Sequence, residues 1–140
     1  MGFLRRLAGG GDKPPPEWVV PQGNYIEVAG VAHHVVELGK VFGRVEEQFI
    51  EDMPATLIRD PRNKYDPNAV EVRIRGALAG YLPREIAAAW SARLAEAEAR
   101  GLTVRANAHV WYRWAHDERK PGAWVHLWMD DWPPPLPPLG

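Results

Sequence analysis

The chain has 140 residues, a formal net charge of −1, 46% hydrophobic and 25% charged residues, and no cysteine. That length holds one domain plus ends, and near-neutrality excludes a polycationic tail protein while leaving room for a local basic face. Without thiols there are no disulfides, cysteine zinc clusters or thiol catalysis, which fits a reducing cytoplasm.

Residues 1–21 contain Gly9-Gly10-Gly11 and Pro14-Pro15-Pro16. They are expected as a flexible tail, because so little apolar surface cannot offset the entropy of ordering. Tyr25–Val31 alternates loosely and reads as a strand. His34–Phe42 has apolar positions at helical spacing and reads as a short helix weakened by Gly39. Pro54–Arg59 is a second strand. Asp60–Asn68 is dense in turn formers, with two Asp-Pro pairs and two asparagines. Ala69–Arg75 alternates most cleanly, Gly76 turns the chain, and Leu78–Leu82 returns as a hairpin partner.

A helix is predicted near 83–100. Pro83 suits its first turn, Ile86, Trp90 and Leu94 share a face, and Gly101 ends it. Thr103–Trp114 is a long strand with Val104, Ala106, Ala108, Val110 and Tyr112 on one face. Ala123–Met129 pairs with it across a polar loop. The tryptophans near this end (Trp111, Trp114, Trp124, Trp128, Trp132) are expected to stack across the sheet and cover the barrel end. Trp132–Gly140 is a Pro-rich tail of polyproline II character and a candidate contact for a protein partner. The prediction is a mainly β domain over 22–131: a small OB-like antiparallel β-barrel of about six strands with one or two helices. With no signal peptide in the first residues and no apolar run long enough to span a bilayer, the chain reads as cytoplasmic.

Residues 59–84 carry six basic against three acidic side chains, and 27–58 carry two against six. One face is therefore expected to be basic. An exposed tyrosine among Arg62, Asn63 and Lys64 suits single-stranded nucleic acid, since cations follow phosphates and a ring stacks on bases. No phosphate-binding glycine loop ending in Lys-Ser/Thr and no Ser–His–Asp motif are present, so no enzyme is expected. Neither metal nor cofactor is expected. His33 and His34 are neighbours in sequence, and on a strand they would face opposite sides.

The run Asp60-Pro-Arg-Asn-Lys-Tyr-Asp-Pro-Asn-Ala-Val70, then Gly80-Tyr-Leu-Pro-Arg-Glu85, resembles the HIRAN domain, as does Val28-Ala-Gly-Val-Ala-His-His34. The resemblance spans roughly residues 25–130. It implies an OB-like barrel that captures the 3′ end of single-stranded DNA in repair or replication-fork processing. By the same resemblance, Asn63, Tyr65 and Asp66 fall on the end-binding turn. Asp66 then accepts a hydrogen bond from the terminal hydroxyl, and Tyr65 pockets the last nucleotide. Arg84 matches a basic position beside the phosphates, and Tyr81 a polar position on the same side. Ala32-His33-His34 departs from the pattern, since DNA-stacking eukaryotic members carry an Arg and two Tyr there. One phosphate contact is absent and His33 or His34 takes over the stacking platform. The alternative is a protein-interaction adaptor for a repair or replication partner without direct DNA binding. A hydrolase is a distant third.

Overall fold

The structure is a computed structural model that describes residues 15–44, 46–114 and 120–138. In chain order its elements are β1 (Glu17–Val19), β2 (Asn24–Glu27), a 3-10 turn (Val31–His34), α1 (Val35–Phe42), β3 (Gln48–Arg59), β4 (Val70–Ile74), β5 (Ala77–Tyr81), α2 (Arg84–Ala99), β6 (Thr103–Arg113) and β7 (Gly122–Met129).

Alternation builds the centre of this sheet. Along β6 every even residue from Val104 to Tyr112 is buried, and β7 answers with Val125, Leu127 and Met129. β4 contributes Val70, Val72 and Ile74 to the same core. The strands run β2-β7-β6-β3-β4-β5, each pair antiparallel. The sheet curls until its two edges meet. Ala29, just after β2, exchanges both backbone hydrogen bonds with Tyr81 at the end of β5, at 2.8 and 2.9 Å. Gly80 permits the approach, because a Cβ there would sit 2.3 Å from the Ala29 carbonyl oxygen. The outcome is the expected mainly β architecture, a curled sheet that closes on itself and carries two helices.

The hairpin between β4 and β5 is closed by Arg75 and Gly76, both at positive φ (50° and 83°), the handedness that matches strand twist. α2 starts after Pro83 and buries Ala87, Trp90, Leu94 and Ala97, with Ile86 partly covered. Trp90 donates its indole N–H to the Asp130 carbonyl at 2.9 Å and packs against Trp18. α1 buries Val35, Leu38 and Phe42. Its Gly39 is a packing residue, since a Cβ there would come within 2.9 Å of the Tyr112 hydroxyl and the Trp114 ring.

Several expectations change. β3 begins at Gln48 rather than Pro54. A bulge between Ile50 and Met53 breaks the two-residue period, so the first half of the strand does not alternate. Among the described residues seven strands form, against an expectation of about six. Inside the segment expected as a tail to residue 21, Glu17–Val19 pairs in parallel with β6, and Trp18 and Val20 are buried. The remainder of that segment, 1–14, lies outside the described residues. At the other end, 132–138 folds back: Pro133 is buried, Leu136 lies against the core, and Arg100 donates to the Pro137 carbonyl. Proline-rich chain has little backbone freedom to lose, so few contacts hold it.

Trp111, Trp124 and Trp128 occupy the outer face of β6 and β7 rather than the barrel end. Trp111 lies opposite Trp124, which stacks on His126 at 4.5 Å. Among the described residues no helix is long and apolar enough to cross a membrane.

Candidate functional site

The loop between β3 and β4 is organised by one asparagine. Its neck is closed by the Asp60 amide donating to the Ala69 carbonyl at 2.8 Å. Inside, the Asn63 side-chain oxygen accepts from the amides of Tyr65 (2.9 Å) and Asp66 (3.1 Å). The Asn63 amide nitrogen donates to Asp60 Oδ2 at 3.2 Å. Asp66 Oδ1 in turn accepts from the Asn68 amide at 2.9 Å. These side-chain bonds add to two backbone turn bonds, from the Asn63 amide to the Asp60 carbonyl and from the Ala69 amide to the Asp66 carbonyl, in a loop whose two prolines cannot donate.

Two consequences follow for the side chains. Tyr65 is thrust outward, 79% exposed, with the Lys64 ammonium 5.2 Å from its ring centre. Asp66 is half-buried, with one oxygen used by the turn. The other, Oδ2, faces the Arg84 guanidinium at 3.9 Å across the start of α2. At that distance and exposure the ion pair contributes little to folding, so Arg84 is available to an incoming anion.

Asn63, Tyr65, Asp66, Tyr81 and Arg84 line one cleft of about 440 Å³. The Ala29–Tyr81 closure sets its depth, because it brings the end of β5 and the start of α2 against the turn. The Tyr81 phenol is raised above its ordinary value by burial, and secondarily by the carboxylates of Glu71 and Asp60. It therefore stands in the wall as a neutral hydroxyl. The apolar floor is Ala29, Ala69 and Leu82. These three were not anticipated, because small apolar residues carry no chemical signature until a fold juxtaposes them.

The other expected residues stand around this cleft. Arg62 and Lys64 are exposed on the same turn but do not line it. His34 is half-buried with its ring 6.3 Å from that of Tyr81, and does not itself line the cleft. His33 is exposed and opens onto a neighbouring groove with Ala29 and Gly30. Both histidines sit in the 3-10 turn rather than on a strand, because Gly30 adopts a left-handed φ of 77° and ends the extended segment.

A family model described as the HIRAN domain matches residues 25–116. The HIRAN domain of human HLTF, a solved crystal structure, is similar at 20% sequence identity with a TM-score of 0.41, over 76% of this chain and 74% of that one. No curated protein matches the sequence.

Proposed function

This chain belongs to the HIRAN domain family, one of DNA-binding domains, and from that premise we propose that it is a non-enzymatic module for single-stranded DNA that takes the strand by its 3′ end, in repair or replication-fork processing. The observation that carries the reading is the Asp66 carboxylate, held by the Asn63 turn beside Arg84 and beneath an exposed Tyr65 in a cleft open to solvent.

Each group has a distinct task. Arg84, Arg62 and Lys64 attract the phosphates. The Tyr65 ring stacks on the terminal base. Asp66 Oδ2 accepts a hydrogen bond from the 3′-hydroxyl, and the same charge repels a 3′-phosphate. Asn63 positions Asp66 and Tyr65 through the backbone. Tyr81 offers a hydroxyl in the wall, and His34 backs it in place of the tyrosine platform. His33, at the rim, is the second ring available for stacking.

The test is fluorescence anisotropy with one labelled oligonucleotide ending in a 3′-hydroxyl or a 3′-phosphate, at low and moderate salt. Tighter binding to the hydroxyl end, weakened by salt, supports the reading. Salt-sensitive binding blind to the end removes end capture and leaves a basic face. No binding in either buffer overturns the DNA reading and promotes the adaptor. The adaptor has support of its own in the exposed rings of Tyr25 and Phe49 beside the tryptophans of the outer sheet face.

A further inference from the structure

Among the described residues the barrel closes at a single pair, Ala29 with Tyr81, and next to that pair its edge is open. The Val28 amide donates to the Val125 carbonyl, so the even residues of β2 turn their backbone groups toward β7. In an antiparallel ladder the alternate residues turn theirs the other way. Tyr25, Glu27 and Ala29 therefore point away from β7. Ala29 finds Tyr81. The positions opposite Glu27 and Tyr25 belong to the continuation of β5, but the chain leaves. The Leu82 amide turns to the Val70 carbonyl, and Pro83, which has no N–H, opens α2. A strand position is thus templated in register and vacated.

What lies there is a groove of about 740 Å³ running along β2. One wall is the β2 backbone, and Pro83 and Ile86 of α2 provide an apolar lining. Its charged lining residues are Glu27 and Asp131, both exposed, and it has no lysine or arginine. Such a groove repels phosphodiester backbone, in contrast to the Arg84 cleft beyond Ala29. A row of unpaired amides and carbonyls beside apolar walls suits an added strand, which gains affinity from main-chain bonds and specificity from alternate side chains.

We propose that the open edge of β2 is a docking site for an extended, cationic peptide segment of a partner protein, which adds as an antiparallel strand continuing from Tyr81. Its backbone pairs with Tyr25 and Glu27. Its lysine or arginine side chains meet Glu27 and Asp131, and its apolar side chains lie on Pro83 and Ile86. The groove shares Ala29 with the DNA cleft and has His33 on its rim, but its pairing edge at Tyr25 and Glu27 lies outside that cleft, so peptide docking is read independently of DNA binding.

The experiment uses the full chain, 15N-labelled, with two capped heptapeptide probes, one alternating valine with lysine and one alternating valine with glutamate. Amide hydrogen exchange is read residue by residue. The expected result is exchange at Tyr25 and Glu27 slowed at least tenfold by the lysine peptide and unchanged by the glutamate peptide. The double variant Glu27→Lys/Asp131→Lys should reverse that preference. Equal protection by both peptides, or none by either, overturns the proposal. So does slow exchange at these two amides before any peptide is added. In a monomer that outcome assigns the edge to the chain's own N-terminal residues, and in a dimer, seen by light scattering, to a second copy. Protection by an oligonucleotide instead would make the groove part of the DNA path and refute a peptide site.

Discussion

Replacing Tyr65 with alanine separates binding from folding. The side chain is 79% exposed, with the Lys64 ammonium 5.2 Å from its ring centre. The bond that shapes the turn comes from the Tyr65 backbone amide, which alanine keeps. Truncation therefore removes almost no buried area, and the expected change in stability is within about 0.5 kcal/mol, or about 1–2 °C in Tm. Binding is another matter. A ring stacked on a base contributes roughly 1–3 kcal/mol, so Kd for single-stranded DNA should rise about 5- to 150-fold. Tyr65→Phe keeps the stacking ring and should bind within about twofold of the unaltered protein. The assays are anisotropy titration at fixed salt and thermal unfolding of the same preparations. An unchanged Kd for Tyr65→Ala refutes stacking. A Tm loss of many degrees refutes the claim that the ring is free of the fold, and with it the interpretation of any binding loss.

Asn63→Ala should act on both properties at once. It strips two amides of their acceptor in a partly solvated turn, costing about 1 kcal/mol of stability by thermal melts, and it weakens DNA binding as Asp66 loses its position. Gly80→Ala should cost about 1–3 kcal/mol, since the new Cβ meets the Ala29 carbonyl at 2.3 Å and forces the barrel closure apart; an unchanged denaturation midpoint would exclude that closure. At high pH the tyrosines limit stability. Tyr25, Tyr81 and Tyr112 are each raised above 10.0 in the fold, with burial the first cause. Their contribution is complete below the unfolded value and is lost as pH rises through the folded values. Urea midpoints should therefore hold to about pH 10 and then fall, with the phenol absorbance at high pH rising in step with unfolding.

The local pattern of this chain determined most of its elements. β6 alternates over eleven residues because one face meets a core and the other meets solvent, and no bulge interrupts it. The 60–68 segment announces a turn because its prolines and asparagines permit little else. Helix α2 has its start and stop residues in place at Pro83 and Gly101. The same stretch and the Gly80–Glu85 run carried the family resemblance, and so the residues of the candidate cleft. Where the period slips, as at Glu51 and Asp52, half a strand vanished from view.

Tertiary structure alone decided the pairings between distant parts of the chain. Three residues of β1 are too few to show a period, and become a strand because β6 offers them a parallel edge and Trp90 a partner for Trp18. The cleft exists because Ala29 meets Tyr81, and the neighbouring groove because the chain turns into α2 one step later. Alternation and turn chemistry act between neighbours, so a single sequence displays them. Closure depends on sheet twist, on a glycine that admits a carbonyl and on a bulge, and these set which distant residues touch only when the whole sheet has formed.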